Sequence, residues 1–374
     1  MSKKHVFYYS LLQPLVAAFA RIAFGYRCEK VSKDIPGPYI VLSNHTTDFD
    51  MLFVGSSFRK QMYFVGSEHI ARWGFLYKLI DYFFAPIMRY KGTTAASTVM
   101  DVLRKVRGGD NICLFAEGAR CWDGVTASFL PSTGKMVKSA KCSLITYRIE
   151  GGYFASPRWA GSPIRRGRMR GGPVNIYTAE QLAAMSPAEI NAAIAKDLHE
   201  DAYERQLASP VPYKGKKLAE HMEKLLFLCP KCGAQETLSS KDDTVSCSAC
   251  GLSFRYDRFG MLHGAPADTV KALAAQQHEL VAKSAANITY RSHSAVLKKV
   301  AKHQETFVCE GPLSMNAEAL TCGDVVIPFR DISDLTMHGY QTLVFSAGSE
   351  YYELIPAADT NAYKFHLLYQ ALKG

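Results

Sequence analysis

The sequence lacks the features that define several classes of protein. No uncharged run reaches the roughly 20 residues that a helix needs to cross a bilayer, and the N-terminal run of residues 6–20 stops at 15. No internal repeat and no low-complexity segment is present, which argues against a repeat protein or a disordered chain. The ten cysteines do not resemble a disulfide framework, since four form two close pairs and six are scattered. This pattern is typical of a reducing cytosol and one metal site.

The chain is rich in apolar residues and has an excess of basic ones. Of its 374 residues, 48% are apolar and 21% are charged, which is enough to build the cores of two or three domains. The formal net charge of +10 favours an anionic partner. A membrane surface, a nucleic acid and a phosphorylated substrate are all anionic partners of this kind.

The N-terminal run of residues 6–20 carries aromatic and leucine side chains between Lys3, Lys4 and Arg21. Apolar segments with basic residues at both ends are typical of helices that lie in the headgroup layer of a membrane, and we predict such a membrane-docking helix here. A secretory signal peptide is one alternative, because residues 18–20 resemble a cleavage site. A core helix of a soluble domain is the other.

Short β-rich segments alternate with helical patterns between residues 38 and 178. The strand candidates are PYIVLSN, QMYFVG, FFAPIMRY, NICLFAEG, SLITYRI and PVNIY. Between them, residues 94–106 repeat valine and leucine at helical spacing. This alternation predicts an α/β domain with a largely parallel sheet.

The rest of the chain is predicted to hold helices around a cysteine-rich segment and a β-rich region that starts near residue 288. The predicted helices are residues 178–206, within which Ser186-Pro187 is a helix start signal, 267–286 and 359–372. A Pro/Gly-rich stretch at residues 209–215 marks a domain boundary. We therefore predict three parts: an α/β domain with the N-terminal helix (1–225), a small cysteine-bearing domain (226–263), and a linker helix with a mostly-β domain that ends in a helix (264–374).

The motif NHTTDFD follows the predicted strand PYIVLS and places His45 five residues before Asp50. A histidine in the entry loop can fold back onto a carboxylate in the first turn of the next helix, which fixes the imidazole tautomer and stabilises the imidazolium. Open α/β sheets also place their sites at the carboxyl ends of strands. The alternative is structural, because Thr47 and Asp50 form the pattern of a capping box at a helix start.

Three further segments accompany this motif. SEHIARWGFLYKLIDYFFAPIMRYKG places Arg89 at the end of a predicted strand, LFAEGARCWDG begins in another strand, and FLPSTGKMV follows it. In this order and spacing, the four segments resemble the 1-acylglycerol-3-phosphate acyltransferase (lysophosphatidic acid acyltransferase) family over about residues 35–180. The resemblance implies an α/β acyltransferase domain.

The resemblance also implies a role for each matched residue. His45 is expected to be the general base and Asp50 its orienting partner. Two arginines are expected to grip the acceptor phosphate, a task that suits a guanidinium, while a Glu-Gly pair positions the glycerol portion. These implied substrate-binding residues are Arg89, Arg120, Glu117 and Gly118.

The implied reaction is direct attack of an acceptor hydroxyl on an acyl thioester, either acyl-CoA or acyl carrier protein, in phospholipid biosynthesis. Lysophosphatidic acid is the implied acceptor, and glycerol-3-phosphate or another lysophospholipid is the alternative. The chain departs from the family at Ala116, where proline is usual, and in SLITYRIEGGY, which poorly matches the proline-bearing fourth motif.

A basic cluster follows the matched segments, in a stretch without acidic residues between Gly151 and Ala179. Its members are Arg158, Arg165, Arg166, Arg168 and Arg170. A polybasic stretch gains about 1 kcal/mol per basic residue at an anionic leaflet. Together with the N-terminal helix, the cluster predicts a cytoplasmic protein bound peripherally to the anionic inner face of the cell membrane.

The segments CPKCG and CSACG look like the two knuckles of a zinc ribbon. They supply Cys229, Cys232, Cys247 and Cys250, with 14 residues between the two pairs. Four thiolates fill a tetrahedral Zn²⁺ shell, so the predicted zinc is structural, and iron in a rubredoxin-like site is the alternative.

A ribbon also raises a non-enzymatic alternative, a regulatory or nucleic-acid-binding protein. The ribbon segment lacks a Lys/Arg run interleaved with aromatic residues, so we expect no nucleic acid as a partner. The β-rich region that follows is weakly similar to a pleckstrin-homology-like or GRAM-like domain.

Overall fold

The computed structural model describes residues 3–32, 34–67, 70, 74–89, 95–160, 164–301 and 304–373. The chain divides into two compact units. The first comprises residues 1–157 and 163–215, and the second comprises residues 158–162 and 216–374. The division into three parts stays a prediction.

The first unit alternates strands and helices along most of its length. Its elements are α1 (Lys3–Phe24), β1 (Tyr26–Cys28), β2 (Tyr39–Ser43), α2 (Asp50–Ser57), β3 (Tyr63–Ser67), α3 (Phe75–Phe84), β4 (Ile87–Arg89), α4 (Ala95–Arg107), β5 (Ile112–Phe115), α5 (Ser132–Ala140), β6 (Ser143–Glu150), α6 (Gly152–Ala155), β7 (Met169–Tyr177), α7 (Ala179–Ala184), α8 (Pro187–Leu198) and α9 (Ala202–Ala208).

The strands of this unit form one mixed seven-stranded sheet in the order β1-β7-β6-β2-β5-β3-β4. Adjacent strands run parallel except for β6 and β7, which are antiparallel. The predicted α/β class is therefore confirmed. The sheet is largely parallel, as expected, and only β1 and β7 run against the other five strands.

Two predicted elements have different bounds in the structure. Helix α3 continues to Phe84, so the strand predicted to begin at Phe83 starts only at Ile87. The predicted helix over residues 178–206 is three helices, because new N-caps at Ser186 and Asp201 interrupt it. Each cap side chain accepts hydrogen bonds from backbone N–H groups in the first turn of the helix that it starts, which have no acceptor within that helix.

A continuous hydrophobic core holds α4, α5 and α8 against the sheet. Its side chains alternate along the strands and repeat at helical spacing, as burial of one face requires. They include Ile40 and Leu42 of β2, Val102 and Val106 of α4, Ile112 of β5, Val137 of α5, Leu144 of β6, and Ile190 and Ile194 of α8. This packing fixes the carboxyl ends of β2, β4, β5 and β6 relative to one another.

Helix α1 is bound to the first unit by hydrogen bonds along its length. The Tyr9 hydroxyl donates to the carbonyl of Gly55 at 2.9 Å, and the Gln13 amide donates to that of Ser56 at 2.7 Å. Near the end of the helix, Arg166 Nε donates to the Ile22 carbonyl at 2.9 Å.

Most of the apolar surface of α1 nevertheless faces outward. Its exposed apolar side chains include Phe7, Leu11, Leu15, Phe19 and Ile22. With 22 residues, α1 is by length and composition long and apolar enough to cross a membrane, a property that residues 6–20 alone did not predict. The exposed apolar face argues against a core helix of a soluble domain.

The second unit is mostly β. Its elements are β8 (Leu238–Lys241), β9 (Thr244–Cys247), β10 (Ser253–Tyr256), β11 (Leu262–His263), α10 (Val270–Ser284), β12 (Tyr290–Ala301), β13 (Gln304–Met315), β14 (Ala319–Cys322), β15 (Val325–Pro328), β16 (Ile332–His338), β17 (Thr342–Ala347), β18 (Glu350–Pro356) and α11 (Tyr363–Lys373). Strands β8–β11 form a four-stranded sheet, and β12–β18 form a seven-stranded antiparallel sheet in the order β15-β14-β13-β12-β18-β17-β16.

Two of the five arginines in the predicted basic cluster are buried, so the cluster does not form one exposed surface. Arg158 is buried in the second unit, where its guanidinium donates to the Met337 carbonyl at 2.8 Å, and the neighbouring Trp159 packs edge-on against Tyr256. Arg165 is also buried, at 1% exposure. The remaining three, Arg166, Arg168 and Arg170, are exposed. Burial of two charged side chains follows from tertiary packing, which the spacing of arginines does not reveal.

Candidate active site and cysteine cluster

His45 and Asp50 meet at the carboxyl end of β2. Nδ1 of His45 lies 2.9 Å from Oδ2 of Asp50, and the imidazole stacks on the ring of Phe115 with centroids 4.6 Å apart. The His45 side chain is 22% exposed, whereas Asp50 is fully buried. An Nδ1–H that donates to the carboxylate leaves Nε2 as the ring nitrogen that can accept a proton.

The Asp50 carboxylate is held by the loop that it shares with His45. It accepts hydrogen bonds from the backbone N–H groups of Thr46 and Thr47 and from both threonine hydroxyls. The carboxylate therefore accepts the Thr47 N–H bond of the capping-box pattern and contacts the imidazole as well. The reciprocal bond of a capping box is not formed, because the Thr47 hydroxyl accepts from the Phe49 N–H and the N-cap of α2 is Phe49.

Asn44 and Gly152 hold the same loop against β6, and sequence reasoning missed both. The Asn44 side chain donates to the Ile149 carbonyl at 2.9 Å and accepts from the Ile149 N–H at 2.8 Å. A Cβ on Gly152 would lie 2.0 Å from Oγ1 of Thr46, so only glycine permits this approach. The Gly151-Gly152 pair directly after a strand was the signal that could have indicated it.

Glu117 follows β5 and contacts backbone groups with both of its carboxyl oxygens. Oε1 accepts from the His45 N–H at 2.7 Å, and Oε2 accepts from the Ala127 N–H at 2.6 Å. Burial raises the pKa of Glu117 to about 8, although these two backbone hydrogen bonds oppose the shift. This geometry supports a positioning role for Glu117, and its implied contact with the glycerol portion stays a prediction.

Gly118, in the segment LFAEGARCWDG, lies close to Arg89, in the segment of residues 67–92. Its backbone has a positive φ of 69°, and a Cβ there would lie 3.2 Å from Nη1 of Arg89. Arg89 ends β4 at the same edge of the sheet as His45. Within the segment of residues 67–92, residues 68, 69, 71–73 and 90–92 lie outside the described residues.

Arg120 lies beside the His45 loop. Its Nε is 3.3 Å from Oδ1 of Asp48, and its Nη1 donates to the Ser156 carbonyl at 3.3 Å. The Arg120 side chain is 12% exposed, whereas that of Asp48 is 75% exposed. The structure thus brings all six predicted catalytic and substrate-binding residues to the carboxyl ends of β2, β4 and β5.

The four cysteines of the predicted ribbon converge in the second unit. Their Sγ atoms all lie within 4.8 Å of one another, with Cys229 and Cys250 at 3.7 Å and Cys232 and Cys247 at 3.9 Å. In each knuckle the glycine N–H donates to the first cysteine's carbonyl, and both glycines have positive φ. The Thr237 hydroxyl lies 3.2 Å from Sγ of Cys247.

Comparisons with known proteins identify similarities in the first part of the chain. The family model described as Acyltransferase matches residues 27–150. The chain is also similar to the solved structure of the 1-acyl-sn-glycerophosphate (LPA) acyltransferase PlsC from Thermotoga maritima, with 15% sequence identity and a TM-score of 0.43 over 54% of this chain and 81% of that one. The search of curated proteins found no significant match.

The raised pKa of Glu117 predicts a specific pH dependence of stability. An unfolded glutamate ionises near pH 4.3, whereas Glu117 in the folded chain ionises near pH 8, so between these values the folded state binds one more proton. The free energy of unfolding should therefore fall as pH rises from about 5 to about 8.

Glu117→Gln should remove this component. We expect the melting temperature of the wild type, relative to that of the variant, to decrease over that pH range, and the exposed Glu318→Gln to serve as a control without the trend. A difference between wild type and Glu117→Gln that stays constant with pH would contradict the assignment.

Proposed function

The chain carries an acyltransferase domain over residues 27–150, as its motifs predict, and on this premise we propose that it transfers a fatty acyl group from an acyl thioester to the hydroxyl of 1-acylglycerol-3-phosphate. The observation that carries the proposal is the His45–Asp50 contact of 2.9 Å at the carboxyl end of β2. A buried carboxylate on Nδ1 and a partly exposed imidazole are what a general base that deprotonates a hydroxyl requires.

In the proposed reaction, Nε2 of His45 accepts the proton of the acceptor hydroxyl while its oxygen attacks the thioester carbonyl. Asp50 stabilises the imidazolium that forms. Collapse of the tetrahedral intermediate breaks the carbon–sulfur bond, and the imidazolium returns the proton to the departing thiolate. Glu117 and Asn44 act through position, because each holds the backbone of the His45 loop.

Arg89 and Arg120 are proposed to hold the phosphate of the acceptor. Both lie at the carboxyl edge of the sheet, Arg89 as the last residue of β4 and Arg120 after β5, and a guanidinium can bind phosphate with two parallel hydrogen bonds. The donor is acyl-CoA or acyl carrier protein. Glycerol-3-phosphate and other lysophospholipids remain the alternative acceptors, since the same base serves any of these hydroxyls.

The first unit is proposed to dock on the anionic inner face of the cell membrane. Helix α1 and the neighbouring α3 expose apolar side chains, Phe7, Leu15, Ile22, Phe75 and Tyr82 among them. Exposed arginines accompany this face at the carboxyl end of α1 and at the start of β7, namely Arg21, Arg27, Arg166, Arg168 and Arg170. Because hydrogen bonds hold α1 to the unit near both ends, we favour a helix that lies in the interface over one that spans the bilayer.

The cysteine cluster is proposed to hold one structural zinc ion. Tetrahedral coordination with zinc–sulfur bonds of about 2.3 Å places the sulfur atoms about 3.8 Å apart, and two of the pairs here are at 3.7 and 3.9 Å. Iron in the same geometry is the alternative.

The seven-stranded sheet with its terminal helix α11 is proposed to be a pleckstrin-homology-like or GRAM-like domain.

Removal of the base should abolish transfer without unfolding the protein. His45→Ala is expected to lower the rate by about 10²–10⁴, because general-base catalysis typically contributes that factor, while the melting temperature stays near that of the wild type. His263→Ala is the matched control, since Nε2 of His263 lies 2.8 Å from Oδ2 of Asp257 and forms a similar pair in the second unit. Equal losses of activity in both variants would refute the role of His45.

A charge on the apolar face of α1 should weaken membrane binding. Leu15→Glu is expected to reduce cosedimentation with anionic liposomes, and binding of the wild type should weaken as salt screens the arginines. Leu207→Glu in α9 is the control, because Leu207 is 63% exposed and Leu15 is 64% exposed. Salt-independent binding that requires detergent for extraction would instead favour a spanning helix.

Loss of one thiolate should release the metal and destabilise the second unit. We expect about one zinc and little iron per wild-type chain by elemental analysis, and Cys247→Ser should lose the metal and give a lower protein yield, since structural zinc contributes about 10–16 kcal/mol in finger peptides. The folded fraction should retain most of its kcat. Cys309→Ser, outside the cluster, is the control. If the variant stays folded without the metal but no longer transfers the acyl group, the metal has a catalytic role and the proposal of a structural ion is wrong.

A further inference from the structure

Asp48 places an exposed negative charge beside the proposed phosphate-binding arginine. It lies in the loop between His45 and Asp50, and its side chain is 75% exposed. Its Oδ1 is 3.3 Å from Nε of Arg120, a residue that is only 12% exposed. Asp48 therefore faces solvent at the site, whereas Asp50 and Glu117 have both carboxyl oxygens engaged by the surrounding loops.

The position of Asp48 limits how far its charge is from the phosphate of a bound acceptor. Arg120 is proposed to hold that phosphate, and Oδ1 of Asp48 lies 3.3 Å from Nε of Arg120. A phosphate bound by the same guanidinium therefore lies within the Debye length of about 8 Å at physiological salt, in the field of Asp48. A carboxylate there repels a phosphate and partly neutralises Arg120.

The strength of this repulsion depends on the charge of the acceptor. A phosphomonoester carries a charge of about −1.5 to −2 at pH 7, because its second ionisation lies near pH 6. A phosphodiester has no second ionisation and carries about −1. The carboxylate of Asp48 therefore penalises the monoester more than the diester.

We propose that Asp48 is a specificity-determining residue that shifts the acceptor preference of this site from phosphomonoester toward phosphodiester lysophospholipids. The inference rests on the proposed acyl transfer and deepens it, since it names the feature of the acceptor to which the site responds. The exposed side chain, the contact with Arg120 and the closeness to His45 carry it.

The test is the ratio of kcat/KM for 1-acylglycerol-3-phosphate to kcat/KM for 1-acylglycerol-3-phosphoglycerol, measured on the same liposomes. Asp48→Asn should raise this ratio about threefold to fivefold at low salt, since two unit charges about 4 Å apart in water interact by about 1 kcal/mol. The increase should disappear near 1 M salt, where the Debye length is about 3 Å. Membrane docking affects both acceptors alike and cancels in the ratio.

Asp101→Asn is the matched control. Asp101 pairs with Arg104 on α4 at 2.6 Å, so the substitution removes the same type of ion pair away from the His45 loop, and the ratio should stay unchanged. A ratio that is also unchanged in Asp48→Asn, or one that falls because Asp48 serves to orient Arg120, would overturn the inference.

A binding measurement separates this inference from the proposed function. The dissociation constants of glycerol 3-phosphate and glycerophosphoglycerol, measured by NMR titration, require no turnover. Asp48→Asn should tighten binding of the monoester relative to the diester by the same factor. If the wild type transfers no acyl group to either lipid but the binding ratio shifts as expected, the proposed function fails and the role of Asp48 stands. If transfer occurs and neither ratio shifts, the role of Asp48 fails alone.

Discussion

The buried carboxylate of Asp50 is the constraint on which the site depends. A carboxylate without exposure to water must be fully hydrogen-bonded, and this one draws its donors from Thr46, Thr47 and the imidazole of His45. The same bonds close the loop that leads into α2. A change that disturbs this loop therefore also moves the proposed base.

The sheet supplies the rigidity that this turn needs. Strand β2 lies between β5 and β6, so the loop after β2 can be fastened on both sides. Glu117 after β5 accepts from the backbone N–H of His45, and Asn44 exchanges two hydrogen bonds with Ile149 of β6. Gly152 allows the following segment to contact Thr46. The imidazole is thus fixed through its backbone as well as through Asp50.

Local patterns predicted the α/β domain and most of its strands. The convergence of the four cysteines follows from the same kind of local rule. The site residues at the carboxyl ends of β2, β4 and β5 came from the resemblance of the four segments to the acyltransferase family. The closeness of Arg89 to Gly118 was not predicted. What the sequence did not predict depends on packing between distant segments. Burial of Arg158 and Arg165 and the use of both Glu117 oxygens by backbone groups require tertiary contacts that residue spacing does not encode.

The central claim is that this site joins an acyl group to a lipid hydroxyl without an acyl-enzyme. The most direct measurement is mass spectrometry of the lipids formed from purified protein, liposomes containing 1-acylglycerol-3-phosphate and an isotopically labelled acyl thioester. The account predicts a diacylglycerol-3-phosphate with the label in its new ester and one free thiol released per molecule formed. Thiol release that yields labelled free fatty acid while the acceptor remains unchanged would contradict it.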